Sequence, residues 1–235
     1  MNVFTGTKIL DAKRKGKLKM VSFEQNGKKI SVAAEEILFA LGRVPNTASL
    51  NLEKAGVATN EGGQIIASQF MQTSAPHIYA VGDCTNHHEI VHIAVQQGEV
   101  AGHNITNPTK RREMDYRMII TIVFTDPPIA CVGLIEKEAI IRNLPYVAAR
   151  YPFNDHGKSL IMEAKAGFVK LLANPKSGEI LGGVCVGPAG SELIHEIVAA
   201  MAKRMTVHEL AAMPHYHPTL AEIWTYPAEE LAEKI

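Results

Sequence analysis

Only three cysteines occur in the 235 residues, Cys84, Cys131 and Cys185. They are an odd number with none of the close spacings used by metal clusters or redox pairs, so a disulfide framework and a Cys-x-x-Cys motif are both excluded. Three reduced thiols in a cytoplasmic protein is the expectation that follows. Net charge is missing too, since 24 Lys and Arg balance 24 Asp and Glu. A strongly basic nucleic-acid binder and a polyacidic tail are therefore not expected. The longest strongly apolar run, Met118 to Phe124, is far too short to cross a bilayer, and the opening residues lack the apolar stretch of a signal peptide. A chain that is soluble and unexported, with no membrane or nucleic-acid partner and no metal site, is the expectation. No internal repeat or low-complexity segment is visible.

What is present is ordinary globular composition, 46% hydrophobic and 20% charged, and enough length for one large domain or two small ones. The first 46 residues alternate short β-like runs with polar turns. Lys17–Phe23 and Lys29–Ala33 flank Asn26-Gly27, a pair that accepts positive φ and so predicts a hairpin. Glu36–Leu41 reads as a buried strand. Residues 47–106 hold a loop-rich stretch, a short β pair around Gly62-Gly63, an apolar run His77–Val81 ending in Gly82-Asp83, and a helix over 89–104 with Ile93, Ala94, Gln97, Val100 and Ala101 at helical spacing. Residues 107–113 look like a linker.

After it the pattern changes. Strands are predicted at Thr121–Phe124, Ala130–Gly133, Tyr146–Tyr151, Gly167–Ala173 and Ile180–Val186, the last two joined as an antiparallel hairpin by turn-forming residues 174–178. Helices are predicted near Leu134–Arg142 and at Ser191–Arg204, whose apolar stripe is Leu193, Ile194, Ile197, Val198 and Met201. Two capping boxes, Thr206–Glu209 and Thr219–Glu222, mark further helix starts.

Two segments can carry chemistry. At Gly82-Asp83 an apolar run delivers a glycine that lets a ligand approach the backbone and a carboxylate that can accept hydrogen bonds from hydroxyls; a plain Asx turn uses the same residues. In His215-Tyr-His-Pro-Thr-Leu-Ala-Glu222, Glu222 can fold back onto one nitrogen of His217 while the other nitrogen faces a substrate, the base and orienter of acid–base catalysis. Glu222 is equally the third residue of the second capping box, and His215 is the nearest rival base.

Taken in order, ALGRVPN, IYAVGD, QQGEVAGHNI, FTDPPIACVG, GFVKLLAN and HYHPTLAEIW resemble the C-terminal half of the class I pyridine nucleotide-disulfide oxidoreductases, and within them most resemble the dihydrolipoamide dehydrogenases. The resemblance covers essentially the whole chain. It implies a mixed α/β and α+β fold: residues 1–46 as the end of an NAD-binding domain, 47–113 as the returning part of an incomplete Rossmann-like FAD domain, and 114–235 as an α+β interface domain that pairs two subunits. It implies that Asp83, with Gly82, meets the ribityl chain of FAD, that Ile90, Val91 and His92 lead into a helix whose first amides face the flavin ring, and that His217 is the acid–base catalyst with Glu222 as its partner. FAD, NAD, a homodimer and a lipoyl-bearing or other disulfide substrate are implied for the complete enzyme.

Departures from the family matter as much. No two of the 18 glycines are separated by a single residue, so neither G-x-G-x-x-G pyrophosphate turn is present. The family's redox cysteine pair is missing, as is the C-terminal cysteine pair of mercuric reductases. Leu220 stands where glutathione-type reductases more often carry a polar residue. The expectation is a C-terminal fragment or split-gene product that binds neither FAD nor NAD tightly alone, lacks the N-terminal half and carries the acid–base part of the site. The alternatives are a non-catalytic dimerisation and binding module, or a fragment of another disulfide reductase such as a mercuric or glutathione reductase-like enzyme.

Overall fold

The computed structural model describes residues 1–164 and 166–235, which divide into two compact units, Met1–Val44 and Pro45–Ile235. The first is an antiparallel meander of β1 (Lys8–Lys15), β2 (Leu18–Gln25) and β3 (Lys28–Ala34). Asn26 and Gly27 both take positive φ in the β2–β3 turn, the backbone that a tight hairpin needs. Registered Ser22 and Ser31 share a hydroxyl hydrogen bond of 2.9 Å, and the Phe4 ring packs at 5.1 Å from that of buried Phe23. Residues 36–41, expected as a buried strand, are exposed and extended without pairing. An apolar run becomes a buried strand only where a neighbouring strand takes its backbone hydrogen bonds, and among the described residues none pairs with it.

The second unit begins with a loop-rich stretch tied by single bridges, Thr59 to Ile65, Ile65 to Thr85 and Gln72 to Tyr79, around buried Val57, Ile65, Ala75 and Ala80. The His77–Val81 run contributes only the Tyr79 bridge, not a full strand. Helix α1 (Val91–Thr106) buries Ile93, Gln97, Ala101 and Asn104 along one face, in a cluster with Met71 and Met114. Asn104 bonds the Arg112 backbone through both N–H and C=O and also reaches Phe70 O at 3.0 Å. The linker-like residues 107–113 are thus exposed but tethered.

Beyond them lies an antiparallel sheet of β4 (Ile120–Val123), β5 (Ile129–Gly133), β6 (Val147–Pro152), β7 (Phe168–Ala173) and β8 (Ile180–Val186), in the order β4-β5-β8-β7-β6. The β7–β8 hairpin forms as predicted, with Asn174 Oδ1 accepting from the Lys176 and Ser177 amides. Short helices α2 (Glu136–Ile141) and α3 (Gly157–Ile161) sit in the connections, and α4 (Gly190–Ala202), α5 (Val207–Ala212) and α6 (Thr225–Ala232) follow. Helix α4 packs on β5 and β8, and α6 on β6 and β7. Trp224, Phe153, Leu171, Ile194 and Ile197 fill the space between sheet and helices, all fully buried. This is the α+β half of the expected architecture. Among the described residues no helix is long and apolar enough to cross a membrane.

Candidate active site

Between α5 and α6 the chain runs through Pro214 and Pro218, residues that cannot continue a helix from α5. The first predicted capping box forms, with Glu209 N–H donating to Thr206 Oγ1 and Thr206 N–H to Glu209 Oε2. The second does not. The turn after Pro218 is a 3-10 turn, Ala221–Trp224, with no side-chain cap. Freed from capping, the Glu222 side chain lies between two histidines.

His217 Nδ1 is 2.9 Å from Glu222 Oε2. The carboxylate can only accept, so Nδ1 carries the proton and Nε2 keeps its lone pair. The His217 side chain is 76% exposed, whereas that of Glu222 is 10% exposed, so the pair is an accessible base held by an enclosed anion. His215 is placed differently. Its side chain is 7% exposed, with Nε2 at 2.6 Å from Glu196 Oε1 and Nδ1 at 3.0 Å from Met213 O; both ring nitrogens face protein oxygens, so neither is open to a substrate.

The second histidine at Glu222 is one that sequence reasoning missed. His156 follows β6 immediately before α3, is fully buried, and places Nε2 at 3.3 Å from Glu222 Oε1. The approach is close but lacks hydrogen-bond alignment, leaving both atoms without an aligned partner. His156 Nδ1 is 2.7 Å from the buried Ser159 hydroxyl. Burial pushes the imidazole below the ordinary histidine value, the Glu222 charge draws it partway back, and His217 adds a smaller downward push. Tyr226 lies edge-on to His156 and stacks flat on Tyr151 with centroids 4.0 Å apart. The Tyr151 hydroxyl donates to Asp155 and is pushed up to about 12, first by burial and then by that carboxylate. Glu222 stands 66 positions after His156, and no local pattern connects them.

The remaining predicted residues form a second group around the start of α1. Gly82 opens a 3-10 turn, Gly82–Cys84, at φ +76°, with its missing Cβ position 3.4 Å from Ala94 Cβ. Its buried N–H donates to Gln97 Oε1 at 2.7 Å, and Gln97 Nε2 donates to the Tyr116 hydroxyl at 3.0 Å. Asp83 is exposed on this turn. Ile90 is the extended residue before α1 and Val91, its first residue, is 81% exposed. The first amides of this 16-residue helix point along its axis toward an open end, the polarity that favours a negative group. His92 is half-buried with Nε2 enclosed and without a hydrogen bond, and burial followed by the nearby His195 holds it below the ordinary histidine value. Gln97 was legible as a helix position by spacing. A polar residue inside an apolar stripe was the available sign that it does more than pack.

Comparison with known proteins identifies the family. The family model for pyridine nucleotide-disulphide oxidoreductases covers residues 1–98, and that for their dimerisation domain covers residues 119–228. Among curated relatives, dihydrolipoyl dehydrogenase of Mycobacterium leprae is 36% identical over 222 residues, which is 94% of this chain and 48% of that protein. Its counterpart in Chlamydia pneumoniae is 37% identical over 230 residues, 95% of this chain and 49% of that protein. The crystal structure of LpdA from Mycobacterium tuberculosis superposes with a TM-score of 0.86 at 29% identity, covering 97% of this chain and 49% of that one. A cysteine-to-serine mutant of the HOCl-induced flavoprotein disulfide reductase RclA from Escherichia coli, in a Cu(II) complex, shares the fold at a TM-score of 0.81 and 23% identity, covering 97% of this chain and 50% of that one. The chain spans about half the length of the curated relatives it matches.

Proposed function

Because the chain belongs to the pyridine nucleotide-disulphide oxidoreductase family, we propose that it supplies the acid–base histidine and the subunit interface of a dihydrolipoyl dehydrogenase, which converts a dihydrolipoyl group and NAD to a lipoyl group and NADH. In this reading residues 1–46 close the NAD-binding domain, 47–113 belong to the FAD-binding domain, and 114–235 pair with a second copy in a cytoplasmic homodimer. The observation that carries the chemistry is the 2.9 Å contact that fixes His217 Nδ1–H on Glu222 and leaves an exposed Nε2.

The step assigned to this chain is a proton transfer. His217 Nε2 takes the proton from a dihydrolipoyl thiol, the S–H bond breaks, and the imidazolium forms beside the Glu222 carboxylate, which offsets its charge. The thiolate then bonds to one sulfur of a redox disulfide, whose S–S bond breaks to release a second thiolate. This chain has no close cysteine pair, so the disulfide comes from outside it, and His217 acts on the partner subunit's disulfide and flavin.

Bound FAD would carry the electron pair from dithiol to NAD. The residues fit the flavin in part: Asp83 on the Gly82 turn offers a carboxylate that accepts from hydroxyls, and the start of α1 offers its first backbone amides as donors, with Ile90, Val91 and His92 at its edge. Neither pyrophosphate turn is present. The isolated chain is therefore proposed to bind neither FAD nor NAD tightly.

The test supplies the N-terminal half of a dihydrolipoyl dehydrogenase in trans and follows NADH formation from dihydrolipoamide. Activity that depends on both halves and is lost with His217→Gln supports the reading. Equal rates with and without His217 would leave a dimerisation module with no catalytic part.

A further inference from the structure

We infer that His156 is a positioning residue that, through Glu222, selects the His217 tautomer able to take a proton; the inference rests on the acid–base reading of His217. The Glu222 side chain is 10% exposed and its Oε1 is enclosed. A buried carboxylate stays ionised only where donors face its oxygens, and otherwise takes up a proton. Oε2 has His217 Nδ1 at 2.9 Å, while Oε1 has His156 Nε2 at 3.3 Å as its facing group.

Burial of His156 favours its neutral ring, which carries one N–H. Were that proton on Nδ1, the Nε2 lone pair would point at the lone pairs of Oε1 across 3.3 Å. The Ser159 hydroxyl, 2.7 Å from Nδ1, removes the conflict by donating to that nitrogen, which places the His156 proton on Nε2 facing Glu222. The order then runs from the interior outward: Ser159 O–H to His156 Nδ1, His156 Nε2–H facing Glu222 Oε1 across 3.3 Å as an electrostatic contact rather than an aligned hydrogen bond, and His217 Nδ1–H to the other Glu222 oxygen. The outer end of the chain is the bare His217 Nε2. Among the described residues Tyr226 also lies within the field of Glu222 and meets the His156 ring nearly at a right angle.

Take the donor away and the order fails. In His156→Leu the buried Oε1 faces methyl groups in place of a donor, and the carboxylate no longer favours Nδ1–H on His217 as strongly. Glutamine at 156 restores a donor near the position of the imidazole Nε2.

The full chain labelled with 15N-histidine reports this directly, because the 15N shifts of neutral His217 distinguish Nδ1–H from Nε2–H. Wild type and His156→Gln are expected to hold His217 in the Nδ1–H form, whereas His156→Leu lowers that share by a factor of about two or more. Ser159→Ala, which unlocks the His156 proton without removing the ring, moves it in the same direction by less, and decides the matter if His156→Leu does not fold. An unchanged His217 tautomer in a folded His156→Leu or in Ser159→Ala overturns the inference, as does a His156→Gln chain that behaves like His156→Leu. The tautomer needs no turnover to be read. A tautomer that shifts as expected beside a His217→Gln enzyme of full activity would refute the acid–base reading and leave the relay standing.

Discussion

Replacing Gln97 by Leu removes two hydrogen bonds at a fully buried site while leaving its volume nearly unchanged. The Gly82 N–H loses an acceptor at 2.7 Å and has no water to turn to, because Gly82 is itself buried. An orphaned buried donor costs about 1–3 kcal/mol. The Tyr116 hydroxyl is half-buried and regains solvent, so it adds little. Leucine adds apolar burial to the α1 core, which offsets the loss for the unit as a whole but cannot satisfy the Gly82 amide. Global stability is therefore expected to stay within about 1 kcal/mol of wild type, while opening of the 82–85 turn becomes easier by the full cost of the lost bond. The Gly82 amide should then exchange with deuterium roughly five- to a hundredfold faster, since about 1.4 kcal/mol is tenfold. Gln97→Glu keeps an acceptor for both Gly82 N–H and the Tyr116 hydroxyl, and should keep Gly82 protected. Unchanged Gly82 exchange in Gln97→Leu would refute the view that this side chain holds the turn that presents Asp83.

In the complemented enzyme Glu222→Gln should lower dithiol oxidation by a factor on the order of ten to a hundred, and His217→Gln by more, because an amide oxygen still accepts His217 Nδ1–H but no longer offsets the imidazolium charge; equal losses in kcat would contradict this. Burial lowers both His156 and His92, so the unfolded chain takes up protons first, and urea stability should fall as pH drops below about 6.5 and level off below the folded values. His156→Gln should make that decline shallower, and an unaltered slope between pH 5 and 8 would count against it. A Cβ at Gly187 would overlap the Phe153 ring, so Gly187→Ala should cost about 1–3 kcal/mol, whereas Gly98→Ala on the open face of α1 should raise Tm slightly. Limited proteolysis should cut first within residues 35–44, exposed and outside any strand or helix, ahead of residues 107–113, which Asn104 holds through two hydrogen bonds to Arg112.

Much of the molecule was legible where the physics is local. Asn26-Gly27 dictates a turn because few residues tolerate two successive positive φ values. The Thr206–Glu209 box needs only two side chains three positions apart, and the α4 stripe needs only a helical period facing a sheet. The pairing of His217 with Glu222 belongs here too, since five residues bent by a proline keep the two within reach. Other features depended on which distant surfaces meet. Glu36–Leu41 has the composition of a buried strand, but a strand also requires a neighbour, and composition does not supply one. Glu222 matched two local patterns at once, a helix cap and a histidine partner. The choice between them was made by a 3-10 turn that begins too late for the cap and by a sheet that carries His156 to the other carboxylate oxygen. Gln97 and Gly82 likewise lie 15 residues apart in the chain and became partners only when α1 folded back over the turn. Sequence set the backbone preferences of each short segment; the packing of sheet against helix decided which buried polar groups would face one another, because a buried donor or acceptor must find its partner wherever the fold brings one.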